Sequence, residues 1–357
     1  MRIVVAMSGG VDSSVAAALL TREGHEVVGV TLQLADLSSR GLGVSRCCSP
    51  QDVAIARDAA ERLGIAHYVL DMEASFRRAV LDPFVRSYRA GETPSPCVRC
   101  NSLVKFGELA AVARQLGAEV LATGHYARLA TDGTGRAALR RARDRAKDQS
   151  YFLFELTDEQ LAYVRFPLGE MSKDEVRAVA RDAGLPNADR PESQEVCFVP
   201  AGRSYTEVLE RLDPRTPILD GEIVDTAGNV VGAHRGVHAF TIGQRRGLGI
   251  ATDRRLYVVG LDATHRRVVV GDADDTLRRT LRLRDVRWQR RTGGPGVRCE
   301  VQVRSRHAAA PASVTLGEAG SAVVDFDEAV SAPAPGQAAV CYDGDAVLGG
   351  GWIASTA

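Results

Sequence analysis

Hydrophobic and polar positions fall into two textures along the chain. Over the first ~125 residues, short apolar runs alternate with longer stretches that read as helices. Arg2–Ala6 is a strand-length apolar run, and Asp12–Arg22 is a helix closed by Gly24. His25–Leu34 predicts a second strand. Ser49-Pro50-Gln51-Asp52 opens the next helix with a serine cap, proline at the first helical position and an acid at the third, and Gly64 ends it. Ala66–Leu70 predicts a third strand, Phe106–Leu116 a helix ending at Gly117, and Glu119–Thr123 a further strand. Strands alternating with helices predict a parallel sheet covered on both faces.

Beyond residue 200 the runs become short, β-branched and bounded by Gly, Asp and Asn, as in Gly221–Asp225, Arg255–Leu261 and Arg267–Gly271. From about residue 277 nearly everything reads as short strands with turn signals, which predicts a small barrel or sandwich. Ala308–Pro311 and Ser331–Gly336 read as loops. The expected architecture is an α/β N-terminal domain over 1–200, a small mainly β central domain over 201–272 and a C-terminal β-barrel over 273–357.

Composition narrows the class. The chain has 357 residues and 45% hydrophobic positions, enough at roughly 150 residues per domain for two or three buried cores. No apolar run approaches the ~18 residues of a membrane span. The N-terminal apolar run meets Ser8-Gly9-Gly10 too early for a secretory signal, so a cytoplasmic protein without a membrane partner is expected. The 45 basic and 45 acidic side chains cancel, but not locally. Residues 276–307 carry ten arginines against Asp285 and Glu300, and residues 136–147 carry five arginines and Lys147 against Asp144. Such stretches are either solvated faces or the footprint of a phosphate backbone. Only Lys105, Lys147 and Lys173 are lysine, so a retained lysine suggests a need for its compact ammonium.

Two features carry chemistry. Ser8-Gly9-Gly10-Val11-Asp12-Ser13-Ser14 lies between the first strand and the first helix, where glycines let successive N–H groups and a helix N-terminus converge on an anion. It is neither a Walker A loop nor a dinucleotide fingerprint. The seven cysteines are odd in number and no secretory signal precedes them, which favours redox, metal or nucleophilic roles over a disulfide framework. Cys97-Val98-Arg99-Cys100 has no second pair to complete a zinc site. Cys47, Cys48, Cys299 and Cys341 read as buried, inert thiols.

The SGGVDSS loop resembles the PP-loop of the N-type ATP pyrophosphatases, which split ATP between its α and β phosphates. That resemblance implies ATP with Mg²⁺ on Ala6, Met7, Ser8, Gly9, Gly10, Val11, Asp12 and Ser13, with Leu32 at the adenine and Gly124 at a strand end. Cys100-Asn101 with Lys105-Phe106, Cys197-Phe198, Lys147–Leu153 and Phe240–Gly249 occur with the loop in the order found in tRNA-specific 2-thiouridylases. The chain is similar to that family from residue 1 to about 352. The resemblance implies thiolation of the wobble uridine U34 of tRNA, with adenylation of its C2 oxygen and release of AMP and pyrophosphate. It implies that Cys197 carries a persulfide, that Cys100 is the catalytic nucleophile, and that turnover leaves a Cys100–Cys197 disulfide.

The same resemblance implies tRNA contacts at Ser95, Pro96, Cys97, His125, Lys147, Asp148, Gln149, Arg304, Ser305 and Gln337. The expected partners are the tRNAs for Lys, Glu and Gln, and a persulfide donor such as a cysteine desulfurase or a sulfur relay protein. Many relatives lack a cysteine at the place of Cys97. Here it reads as a bystander, a thiol that resolves the disulfide differently, or a third ligand with Cys100 and Cys197 for an iron–sulfur cluster. Two competing classes remain. A PP-loop ligase using a nitrogen nucleophile would not need the two cysteines, and a non-enzymatic RNA-binding module would not need the phosphate loop.

Overall fold

The computed structural model describes every residue except 38–40, 43–48, 132, 134, 192–195, 201 and 290–295. Cys47, Cys48, the Ser193-Gln194-Glu195 part of the Cys197 motif, and Arg290 and Arg291 therefore lie outside the described residues. Contacts divide the chain into two units. The first comprises Met1–Leu81, Pro96–Val208 and Asp345–Val347, and the second Asp82–Ser95, Leu209–Gly344 and Leu348–Ala357.

The first unit is built on strands β1 (Arg2–Ala6), β2 (Glu26–Gln33), β3 (Ala66–Asp71), β4 (Val120–Thr123) and β7 (Val164–Arg165). They form one sheet in the order β3-β2-β1-β4-β7, and every pairing is parallel. Between β4 and β7 the chain makes an antiparallel hairpin, β5 (Arg128–Thr131) and β6 (Ala137–Arg140). Helix α1 (Val11–Arg22) is apolar nearly all round, and Val15, Ala16, Ala17, Ala18 and Leu20 have no exposed surface. A helix of that kind survives only when buried on several sides. Small residues Ala56, Ala59 and Ala60 of α2 (Pro50–Leu63) and Val176 and Ala180 of α3 (Lys173–Asp182) share its core cluster.

The strand and helix expectations of this region hold to within a residue or two, with one extension. The helix expected over Phe106–Leu116 begins at Pro96. An α-helical turn, Pro96–Arg99, runs into a π-helical segment, Cys100–Glu108, and then into α-helix Leu109–Gln115. Wider turns leave backbone carbonyls askew, and the Gln160 carboxamide serves two of them, donating to Ser102 O at 2.8 Å and Phe106 O at 2.9 Å. Segments of this kind cluster at functional sites.

In the second unit, β8 (Gly221–Asp225), β9 (Val230–His234), β10 (Tyr257–Asp262) and β11 (Arg267–Gly271) form a mixed sheet, in the order β10-β11-β8-β9. Ile223, Phe240, Ile242, Leu248, Val258 and Val268 fill its core. Strands β12 (Leu277–Trp288), β13 (Gly296–Gln302), β14 (Ala310–Leu316), β15 (Ala322–Ser331), β16 (Ala338–Asp343) and β17 (Ala346–Thr356) follow. They run β12-β15-β14-β13-β16-β17, and β12 also pairs with β17, so the six close into a barrel. Alternate positions such as Leu281, Val301, Val314, Val324 and Phe326 point into its core. Two expected loops are shorter than read. Strand β14 already includes Ala310 and Pro311, which pair with Val301 and Glu300, and β15 extends through Ser331.

The cap foreseen on α2 is formed. Ser49 Oγ accepts from the Asp52 amide at 2.9 Å and donates to Asp52 Oδ2 at 2.6 Å. Ser49→Ala should lower unfolding free energy by about 1 kcal/mol, the usual cost of losing an N-cap, measured by urea denaturation followed by circular dichroism. An unchanged midpoint would show that the cap contributes nothing.

Candidate active site

The turn from β1 into α1 is possible because two backbones approach others with no side chain between. Gly9 has φ +76°, and a Cβ there would stand 2.5 Å from the carbonyl oxygen of Asp52. Gly124, just past β4, lies so close to α1 that a Cβ would stand 2.7 Å from the carbonyl carbon of Asp12 and the nitrogen of Ser13. Ser13 then pins the loop, donating to Gly10 O at 3.0 Å and accepting from the Ser8 amide at 3.1 Å. From behind, Asn187 Nδ2 and Arg190 both donate to Gly9 O, at 3.0 and 3.2 Å, and Arg190 also pairs with the buried Asp52 carboxylate. A loop whose carbonyls are engaged this way offers its N–H groups to an anion.

An open cavity of about 260 Å³ lies off the carboxyl ends of β1, β2 and β4. The strand order changes direction across β1 there, the place where open α/β sheets hold ligands. Of the residues expected at the nucleotide, Ala6, Met7, Ser8, Asp12, Ser13, Leu32 and Gly124 line it, together with Val30 and Leu34. Gly9, Gly10 and Val11 form the loop and helix start beside it. The apolar side chains of β2 suit a flat base, and the loop and Asp12 supply the polar end.

Asp12 is not alone. Its Oδ1 accepts from Lys173 Nζ at 2.7 Å and from the Tyr126 hydroxyl at 2.8 Å, while 31% of its side chain remains exposed. Lys173, Tyr126, Asn187 and Arg190 were not assigned roles from sequence. For Lys173 a signal existed, since lysine is so scarce in this chain.

The far side of the cavity carries Thr123, His125, Gln149 and Lys105. Thr123 Oγ1 is 2.7 Å from His125 Nδ1, and the imidazole sits 5.8 Å from the Phe106 ring and 6.1 Å from that of Phe166. Burial first, and then the Lys105 charge, hold its pKa well below 6.5, so the ring is neutral at physiological pH. Lys105 Nζ donates to Asn101 Oδ1 at 3.1 Å, and Asn101 Nδ2 donates to Phe152 O at 3.1 Å, which ties two of the sequence motifs together.

The residues expected to touch RNA divide by behaviour. His125 and Gln149 line the cavity, and Gln149 Oε1 also accepts from the Tyr126 amide at 3.0 Å. Lys147 is half-buried. Asp148 accepts from the amides of Ala142 and Ser150 at 2.9 and 3.1 Å, from Ser150 Oγ at 2.9 Å, and pairs with Arg141, so its carboxylate holds the loop itself. Ser95 and Pro96 are buried ahead of the half-buried Cys97. In the second unit, Arg304 donates to Ile242 O and Ala332 O, Ser305 is exposed, and Gln337 Nε2 donates to Thr93 O at 2.9 Å.

Cys97 and Cys100 stand one turn apart on the Pro96–Glu108 segment, and Cys197 is anchored by the buried Phe198, whose ring meets Phe76 at 5.8 Å. None of the three is in a disulfide. Cys97 is pushed up to about 11 by burial and by the neighbouring Cys197, against the pull of Lys105. Among the described residues no three His, Cys, Asp or Glu side chains gather as a metal-holding group.

The comparisons agree with this layout. The family model described as the tRNA methyl transferase HUP domain matches residues 1–201. The tRNA methyl transferase PRC-barrel domain matches 210–272, and the aminomethyltransferase beta-barrel domain 278–353. The chain is 52% identical to the tRNA-specific 2-thiouridylase MnmA of Rhodospirillum centenum, over 99% of this chain and 91% of that one. It is 51% identical to the proteins of that name from Geobacter metallireducens, over 99% of this chain and 96% of the relative, and Caulobacter vibrioides, over 99% and 95%. The chain belongs to the tRNA-specific 2-thiouridylase MnmA family.

A thiol with a pKa of about 11 is only about one part in a thousand thiolate at pH 8. Iodoacetamide should therefore label Cys97 slowly at pH 8, with the rate rising roughly tenfold per pH unit up to about pH 11. A plateau already at pH 9, read by peptide mass spectrometry, would contradict the placement of Cys97 among its neighbours.

Proposed function

We propose that this chain transfers sulfur to C2 of the wobble uridine U34 of tRNA in an ATP-dependent reaction. One observation carries the reading. Lys105 lines the phosphate-loop cavity, and Cys97 lies within electrostatic reach of both Lys105 and Cys197, which supports reading the nucleotide site and the thiols as one centre.

The chemistry follows from what each part can do. The C2 oxygen of uracil is a poor leaving group, and attack of that oxygen on the α phosphate of ATP makes it part of AMP. Pyrophosphate leaves onto the Ser8–Ser13 loop. The partly exposed Asp12 carboxylate would offer an oxygen donor to Mg²⁺ accompanying ATP, which would neutralise triphosphate charge, with Lys173 beside it as the resident counter-charge. Neutral His125 and Gln149 stand at the opposite end, where the base would enter.

Sulfur then replaces oxygen. A persulfide on Cys197 presents its terminal sulfur to C2, and the Cys100 thiolate attacks the Cys197 sulfur. The bond between Cys197 and the terminal sulfur breaks as the disulfide forms, the terminal sulfur remains on C2, and AMP departs with the former oxygen. A reductant supplying two electrons reopens the Cys100–Cys197 disulfide. Lys105 is the positive charge nearest this exchange among the cavity-lining residues, placed to favour anionic sulfur. The substrates are the tRNAs for Lys, Glu and Gln, the sulfur comes from a desulfurase or relay protein, and the reaction runs in the cytoplasm. Among the described residues no helix is long and apolar enough to cross a membrane.

The test separates the two cysteines. Cys197→Ser should accept no persulfide and yield no thiolated tRNA. Cys100→Ser should load sulfur on Cys197 yet lose about a thousandfold or more in product, in line with loss of a covalent catalytic group. Both variants should keep tRNA-dependent ATP–pyrophosphate exchange. Full thiolation by Cys197→Ser would end the persulfide mechanism, and exchange without any tRNA requirement would favour a different PP-loop ligase.

A further inference from the structure

The sequence places positive charge in two stretches, yet the structure neutralises much of it. In the first, Arg136, Arg141, Arg143 and Arg145 pair with Asp158, Asp148, Glu175 and Asp345. In the second, Arg284 and Arg298 pair with Glu92 and Asp327, and Arg279 and Arg304 donate to backbone carbonyls. Arg282, Arg287 and Arg306 stay exposed with no ion pair or hydrogen bond among the described residues, but a tighter uncompensated cluster lies in a motif to which the reaction assigns no task. Arg245, Arg246, Arg254 and Arg255 are all exposed, and no ion pair or hydrogen bond engages any of the four guanidinium groups among the described residues. Asp253 is the one acid among residues 241–256.

This segment is built, not loose. Ile242 and Leu248 are buried in the core beneath it. The Gln244 side chain accepts from the Thr241 amide at 3.1 Å and donates to Arg246 O at 3.0 Å. The backbone is stitched to β10 by Gly243 N to Val258 O at 2.8 Å and Val258 N to Gln244 O at 2.9 Å. Arg245, Arg254 and Arg255 line an open cavity of about 300 Å³, whose floor is formed by residues of the same segment.

We propose that this arginine-lined segment, 241–256, is a phosphate-backbone contact for the tRNA substrate. The proposal rests on tRNA being the substrate, as argued above. Three like charges held around one cavity, with Arg246 next in sequence, repel each other, and a polyanion relieves that repulsion while a buried salt bridge would already have done so. Guanidinium forks match phosphate oxygens in pairs. The exposed positions offer no large apolar side chain, only Arg, Gly, Ala, Thr and Asp, so nothing here would insert into a lipid surface. The charge is spread over an open rim, which suits a chain of phosphates better than one small anion.

The experiment measures binding of substrate tRNA by the full chain across about 50 to 300 mM salt, for wild type and for R245Q/R246Q/R254Q/R255Q. Circular dichroism confirms folding. The glutamine variant should weaken binding about tenfold or more at physiological salt and flatten the log–log salt slope by roughly two to three, since each lost phosphate contact removes a little under one unit. Turnover at saturating tRNA should stay within about twofold, with the loss in KM. A fourfold lysine variant should retain the wild-type slope, and R298Q, whose guanidinium is already taken by Asp327, should leave it unchanged. An unaltered slope in the glutamine variant overturns the proposal while leaving the thiolation reading intact. So does binding of inorganic phosphate, or of phosphatidylserine vesicles, that the variant loses while tRNA binding persists. Wild type that neither binds nor thiolates tRNA would remove the functional reading and this assignment together.

Discussion

The contact on which the centre depends is between two stretches of bare backbone, Gly124 against the peptide joining Asp12 to Ser13. A side chain at Gly124 would push the end of β4 away from the start of α1. Because nothing intervenes, the residues following Gly124 and those opening α1 share one cavity. His125 comes to one wall, backed by the Phe106 ring, and the phosphate loop with Asp12 to the other. The Asp12–Lys173–Tyr126 cluster draws α3 and the segment after β4 onto the same point. The cost is two positions where only glycine fits. The gain is an electrostatic centre whose parts come from five distant segments of sequence and need no reorganisation to meet.

How legible this was depended on whether a feature is local. Strands β1 to β4 of the first sheet, the Ser49 cap and the Gly64 stop are written in adjacent residues and fell where read, whereas the two-residue β7 is too short to leave a pattern. The phosphate loop was legible for the same reason. Asn187 and Arg190 were not, because they act through a single carbonyl, Gly9 O, that is ~180 residues away in sequence and carries no pattern of its own. The helix start at Pro96 was missed because the wide π-helical turn disrupts the 3.6-residue period that marks a helix. Nor did any composition change announce that Asp82–Ser95 would group with the second unit. That grouping rests on long-range contacts such as Arg284 with Glu92 and Gln337 with Thr93.

Charge was the least legible quantity. Counting arginines along the chain measures density, whereas what a ligand meets is density minus local compensation. Asp345 alone takes up Arg128 and Arg145, and Asp148 turns inward to hold its own loop. Runs that look alike on paper therefore differ in the field they project. The partners of an arginine, more than its neighbours in sequence, decide whether it is available.

The high pKa of Cys97 bears on the fidelity of sulfur delivery. A thiol becomes a competitor for a persulfide only as its anion, and at pH 7 about one Cys97 in ten thousand is ionised. A thiol that feels the charge of Cys197 is thus also one that is nearly inert toward it. On the proposed mechanism, a sulfur atom on Cys197 would wait for an activated base without leaking to Cys97, and the same protonation disfavours oxidation of Cys97 by peroxide. Burial, on that mechanism, acts as insulation that keeps Cys97 out of the exchange between Cys100 and Cys197.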